Sequence, residues 1–362
     1  MSISIAIDAM GGDHGLSVTV PAALNALQQF QDISIILVGR VHEIEQALAG
    51  QTYDRERLRI EAADQVVAMD DLPSKALRQK KQSSMRIALN LVKQDQAQAC
   101  VSAGNTGALM AVSKFVLKTL PGVDRPAICT SMPSMTGHVH VLDLGANVNA
   151  EGKSLAQFAI MGSVLAQAVD NQAQPKVGLL NIGEEEIKGH QRIKDANALL
   201  KATDINYIGY VEGDEIYQGN VDVVSCDGFD GNVALKASEG VAKMISFYLK
   251  DAFAKNWLTR LAGLVAWPVL KSFKHQVDPR RYNGASFLGL RKIVIKSHGS
   301  ADAFSFYHAI AEARLEVQKN VPGLIAKQVH ALLSPSSKAV SIAASKAAEM
   351  SASTEGAHES RV

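Results

Sequence analysis

Gln98-Ala99-Cys100-Val101-Ser102, then Ala103-Gly104-Asn105-Thr106-Gly107, then the periodic stretch Leu109–Leu120, is the passage on which the fold turns. A short β-rich run stops at a serine, a glycine-bearing loop follows, and apolar residues then recur at helical spacing. A strand that opens directly into a helix aims the unpaired N–H groups of the first helical turn at whatever lies beyond the strand end. The same unit recurs along the chain. β-rich runs at Ser4–Asp8, Ile33–Gly39, Leu58–Ala62, Val139–Leu144, Lys176–Ile182, Ile205–Val211 and Val221–Cys226 alternate with helical segments such as Leu16–Phe30, Ala76–Val92, Leu155–Val169 and Ile193–Ala202. Such alternation predicts an α/β fold, a largely parallel sheet with helices on both faces. Ligands of such sheets sit beyond the carboxyl ends of the strands.

From about Gly231 to Tyr282 the strands stop, and the pattern becomes two helices joined near Trp257–Leu264 and bounded by Pro268 and Pro279. A projecting helical hairpin is expected there. Strands return at Ala285–Leu288 and Lys292–Lys296, and helices follow over Asp302–Asn320 and Leu324–Leu333. Residues 1–333 therefore read as one α/β catalytic domain with the hairpin (231–282) inserted. After Ser334 the composition turns to serine and alanine, and residues 334–362 read as a disordered tail.

Composition narrows the class. With 362 residues, 47% hydrophobic and 20% charged, the chain can bury a sizeable core. Its 37 Lys and Arg against 36 Asp and Glu leave a net charge of +1, which does not favour nucleic acid as a partner. Cys100, Cys129 and Cys226 are odd in number and lack CxxC spacing, so neither a disulfide framework nor a zinc cage is expected. No secretory signal pattern opens the chain, and no apolar run nears the roughly 20 residues of a spanning helix. A cytoplasmic location is the expectation.

Five polar, glycine-bearing loops follow five strands: Asp8–Gly15, Ser102–Gly107, Asp143–Asn147, Asn181–Gly189 and Asp227–Asn232. The second suits a phosphate or oxyanion, yet matches neither a Walker loop nor GxGxxG, so nucleotide binding lacks support. His138 and His140 share one strand face but have no third ligand at recognisable spacing, and read as surface residues. Cys226 reads as a small buried residue at a strand end. Arg78, Lys80, Lys81 and Arg86 form a basic run on a helical segment.

In combination these stretches resemble the bacterial phosphate acyltransferases of phospholipid synthesis, the PlsX family. The resembling motifs are DAMGGDHG (Asp8–Gly15), RQKKQSSM (Arg78–Met85), VSAGNTGALM (Val101–Met110), RPA (Arg125–Ala127), LDLGANV around Asp143, NIGEEEIKG (Asn181–Gly189), CDGFDGNVALK (Cys226–Lys236), YNGASFLGL and IKSHG (Tyr282–Gly299). The resemblance implies a three-layer α/β/α sandwich, isopropylmalate-dehydrogenase-like and shared with phosphate acetyltransferases. It also implies reversible transfer of a long-chain acyl group from acyl carrier protein to inorganic phosphate, without metal, nucleotide or other cofactor. The acyl phosphate would serve a membrane glycerol-3-phosphate acyltransferase, PlsY, and the enzyme would be a homodimer.

For that chemistry Ser102, Gly104, Asn105, Thr106 and Gly107 are expected to bind the phosphate, with Lys188 or Lys236 as countercharge. Asn147 or Asn232 is expected to stabilise the tetrahedral oxyanion, and Asp8 and Asp227 to orient lysine and amide groups rather than act as bases. A carrier-protein donor calls for a basic docking surface, for which Arg78, Lys80, Lys81, Lys271, Lys274, Arg280 and Arg281 are candidates. Short-chain transfer from coenzyme A, or a sensor without turnover, are the competing readings. The chain's two tryptophans, Trp257 and Trp267, lie with Leu261 and Leu264 beside the basic flank Lys271–Arg281. That pairing suits a peripheral segment on an anionic membrane, while a buried dimer contact explains the same residues.

Overall fold

The computed structural model describes residues 2–276 and 278–333; the serine- and alanine-rich stretch after Leu333 lies outside the described residues. In chain order the elements are β1 (Ile3–Asp8), α1 (Leu16–Gln29), β2 (Ile33–Gly39), α2 (Val41–Leu48), β3 (Leu58–Ala62), α3 (Pro73–Gln79), α4 (Ser84–Lys93), β4 (Ala99–Ser102) and α5 (Thr106–Leu117). Next come β5 (Ala127–Ser134), β6 (Gly137–Leu142), α6 (Gly152–Val169), β7 (Val177–Leu180), α7 (Gln191–Lys201), β8 (Tyr207–Val211) and β9 (Val223–Ser225). The chain continues through α8 (Gly228–Ala254), α9 (Trp257–Gln276), β10 (Ala285–Leu288), β11 (Ile293–Lys296), α10 (Ala303–Lys319) and α11 (Val321–Leu333).

The eleven strands among the described residues form one sheet in the order β3-β2-β1-β4-β11-β10-β5-β6-β9-β7-β8. Alternation along β1 explains the layers: Ala6 packs with Met85, Leu89 and Val112 of α4 and α5, whereas Ile5 and Ile7 pack with Val20 and Leu24 of α1 and Phe306 of α10. A third core lies under α6, α7 and α11, around Phe158, Leu142 and Val223. Helices on both faces make the three-layer sandwich that the sequence implied.

The sheet is not uniformly parallel. β10 pairs antiparallel with both β11 and β5, and β5 pairs antiparallel with β6. Consequently β6, β9, β7 and β8 run opposite to β1, β2, β3, β4 and β11. The reversal hinges on β5, which sequence reading passed over because Pro133 and three serines or threonines obscure its period.

Two helical readings need correction. Ala76–Val92 is not one helix: Ser83 breaks it, its hydroxyl donating to Lys80 O at 2.8 Å and accepting from Arg86 N at 3.3 Å as the N-cap of α4. The hairpin begins at Gly228, and its join is Lys255–Asn256, not Trp257–Leu264. Asn256 and Thr259 exchange side-chain and backbone hydrogen bonds at 3.0 Å each, a reciprocal cap that starts α9 at Trp257. Pro268 lies inside α9. Among the described residues no helix is long and apolar enough to cross a membrane.

Candidate active site

Three adjacent parallel strands end in register: Asp8 of β1 pairs with Ser102 of β4, and Ser102 with Lys296 of β11. The loops beyond them interlock. Ser102 Oγ donates to Asp8 Oδ2 at 2.6 Å, Gly104 N donates to Ser102 Oγ at 3.0 Å, and Asp13 N donates to Gly299 O at 2.9 Å. Gly12 has φ +88°, and a Cβ there would lie 2.8 Å from Ala103 Cβ, so only glycine lets the first loop close over the second.

Asp8 and Lys296 are both buried at this junction. Burial pushes the Asp8 carboxyl above its usual range, against the hydrogen bond from Ser102. Lys296 Nζ donates to Ala103 O at 3.3 Å and to Ser297 O. Burial lowers its pKa to about 8, although the charges of Asp13 and Asp8 favour the ammonium. Lys296 is the functional candidate that sequence reasoning missed. Its signal was a lysine ending the buried run Ile293-Val294-Ile295 level with Ser102.

The N-terminus of α5 opens here, and the structure divides the residues expected to hold phosphate. Asn105 is the N-cap: its Oδ1 accepts from Ala108 N at 2.9 Å and its Nδ2 donates to Met69 O at 2.7 Å and Asp71 O at 3.0 Å. Its side chain is therefore committed to the fold. Ser102 Oγ and Gly104 N are likewise engaged within the loop. Thr106 and Gly107, both exposed, contribute the first-turn N–H groups that have no partner inside a helix.

Of the two expected countercharges, only Lys236 is brought near this loop. It pairs with Glu239 at 2.9 Å, and its charge depresses the pKa of both Lys296 and His298. Lys188 instead pairs with Glu185 at 2.7 Å, lies against Gly183 and feels Glu212. It belongs to a second group of loops.

That second group follows β6, β9 and β7, where Leu142, Ser225 and Leu179 lie in register at or one residue before the strand ends, but these strands point the other way. Three strands separate β4 from β6, about 19 Å at ~4.8 Å per step. The five loops thus divide two and three, and the first turns of α8, from Gly228 to Lys236, bridge the groups. Asp143 is fully buried, accepting from Ile128 N, Ala146 N, Asn147 N and Asn147 Nδ2; burial nevertheless raises its pKa. Gly231 must be glycine because a Cβ would lie 2.1 Å from Asp143 O.

Asn147 cannot serve as the oxyanion donor in this arrangement, since its Nδ2 donates to Pro126 O at 2.8 Å and to Asp143 Oδ2 at 2.9 Å. Asn232 is exposed beside Gly145. Asp227 orients neither expected lysine: it caps α8 through Phe229 N, accepts from Ala150 N at 2.6 Å and pairs with Arg192 at 3.3 Å.

The basic candidates also divide. Lys80 is tied to Asp71 at 2.6 Å and to Val66 O, which removes it from a docking face, while Arg78 and Lys81 are exposed. Arg280 is held by Asp278 and Asp302 and lies over the Phe304 ring, as does Arg281. Lys271 is exposed; the side chain of Lys274 lies outside the described residues. Trp257 is 72% and Trp267 63% exposed, with Leu261 and Leu264 also exposed.

Residues 3–324 match a family described as fatty acid synthesis protein. A phosphate acyltransferase of Hydrogenovibrio crunogenus is 79% identical over 334 residues, covering 92% of this chain and 99% of that protein. One from Methylococcus capsulatus is 60% identical, covering 90% and 96%. Among solved structures, the EutD phosphotransacetylase from Staphylococcus aureus has TM-score 0.53 at 16% identity, covering 90% of this chain and 94% of that one. A phosphotransacetylase from Streptococcus pyogenes has TM-score 0.54 at 15% identity, covering 88% and 94%. These last two share the fold.

Proposed function

The chain belongs to the phosphate acyltransferase family and is an acyltransferase, and on that footing we propose that it moves a long-chain fatty acyl group from acyl carrier protein to inorganic phosphate. The observation that carries this reading is the buried Lys296 ammonium beside the Ala103 carbonyl, level with the strand end that opens into α5. Phosphate seats on the N–H groups of Thr106 and Gly107, a helix-end interaction worth about 0.3–1 kcal/mol when exposed and more when desolvated. Lys296, with Lys236 farther out, offsets its charge.

One phosphate oxygen then attacks the thioester carbonyl. A C–O bond forms, the C–S bond breaks, and the thiolate leaves without a strong acid. Because phosphate near neutral pH is already an anion, no enzyme nucleophile is required and catalysis is chiefly positioning. Asp8 acts through Ser102 to hold the loop. Of the two amides considered for the oxyanion, Asn232 alone keeps its NH2 uncommitted among the described residues.

The test is phosphate-dependent loss of a long-chain acyl carrier protein thioester with detection of acyl phosphate, repeated with acetyl-coenzyme A. Turnover is expected with the first donor and little with the second. The reverse preference would move the reading to short-chain transfer, and absence of turnover with either would leave a sensor.

The proposal extends to a homodimer at the cytoplasmic face of the membrane that hands acyl phosphate to the glycerol-3-phosphate acyltransferase PlsY. Support comes from the outward apolar residues of α9 beside Lys271. Sedimentation with vesicles containing anionic lipid is expected to pull down the protein, neutral vesicles less so. Binding unchanged by Trp257→Ala with Trp267→Ala would remove the membrane role.

A further inference from the structure

His138 and His140, expected at the surface, are drawn inward by a residue that sequence spacing did not point to. His140 is buried and His138 one-third exposed, and both Nε2 atoms converge on the carboxylate of Asp170, the C-cap of α6. The contacts are 3.1 Å from His138 to Oδ1 and 2.7 Å from His140 to Oδ2. The rings meet edge to face with centroids 5.0 Å apart. One candidate ligand atom from each residue lies within 4.8 Å of the others. We propose that His138, His140 and Asp170 form a binding site for a divalent transition metal of the zinc class, tying β6 to the end of α6.

Four features carry the assignment. Two imidazoles and one carboxylate are a donor set suited to zinc and its first-row neighbours, and imidazole is a poor ligand for magnesium or calcium. A metal at ~2.0–2.2 Å from each donor needs donors about 3.3 Å apart, so the two hydrogen-bonded pairs open by a few tenths of an ångström and no pair of donors has to close by more than about 1.5 Å. His140 Nδ1 lies 3.1 Å from Ser131 Oγ on the neighbouring β5, the outer hydrogen bond that fixes the ring and its tautomer in metal sites. Finally, the three residues line a cavity of about 230 Å³ that leaves a position open. Glu312 of α10, also on its wall, lies within electrostatic reach of Asp170 and His138 and adds negative charge that favours a cation there.

The site is separate from the proposed chemistry. Its histidines are the second and fourth of the six residues of β6, whereas the Asp143 loop follows the end of that strand, and Asp8, Ser102 and Lys296 terminate other strands.

Tag-free full-length protein is stripped with chelator and titrated with cobalt(II), then zinc. Expected are one metal per chain, cobalt d–d absorption of low-coordinate type, displacement by zinc, and a raised melting temperature with zinc. His138→Gln and Asp170→Asn should each abolish uptake, and Ser131→Ala should weaken it about 10–100-fold. Should Asp170→Asn fail to fold, His138→Gln decides, because that residue is partly exposed and its loss leaves the core intact. No uptake by the stripped protein at micromolar zinc, or uptake unchanged in His138→Gln, overturns the assignment.

Discussion

Lys296→Met should lower kcat/KM for phosphate by about 10²–10³-fold, the cost of losing one preorganised electrostatic partner in a water-poor site. The folded protein should be no less stable for the change. An ammonium held at about 8 rather than 10.5 is disfavoured by burial by roughly 3 kcal/mol. Between those two values the unfolded chain holds more protons than the folded one, so this residue makes stability rise with pH across that window. Below about pH 8 the penalty is fully present, and methionine removes it. The wild-type rate should fall as pH rises through about 8 and the ammonium is lost, and the methionine variant should lack that limb. Steady-state phosphate saturation and urea melts at pH 7 and 9.5 measure both effects. A variant with wild-type phosphate saturation would remove Lys296 from the site.

Asp227→Ala should cost about 3–5 kcal/mol of stability, because one substitution strands several partners. The Arg192 guanidinium loses its carboxylate while its Nε is already buried without a partner, and Ala150 N and Phe229 N lose their acceptor. Asp227→Asn keeps an acceptor for the cap and should cost less. Urea unfolding followed by circular dichroism gives the free energies, and activity per folded molecule should stay within severalfold of wild type. Full stability with turnover abolished would show instead that Asp227 acts in the reaction.

The structure separates positions that read alike in sequence. Asp8 and Asp227 both stand at or just past a strand end and open glycine-bearing loops. Yet Asp8 lies with a buried lysine at a strand-end junction, whereas Asp227 is consumed by a helix cap and an ion pair. Asn105 and Asn147 were equally plausible ligands until their partners were known: Met69, Asp71 and Ala108 for one, Pro126 and Asp143 for the other. An amide's availability depends on which distant carbonyls reach it, and no local pattern reports that. His138 and His140 failed in the opposite direction, since their third partner lies 30 or more residues away at a helix end.

Sequence alone determined the strand–helix alternation, the two faces of helices it demands, the helical hairpin that carries both tryptophans, and the family. Each rests on local periodicity or contiguous motif, which a chain carries before it folds. Tertiary structure decided the reversal of half the sheet, the partition of five loops into two groups, the choice of Lys296 as the buried cation and the histidine cluster. Those depend on register and on hydrogen bonds spanning many residues, such as Ser102 to Asp8 across 94 positions, and exist only once packing has chosen which polar groups meet.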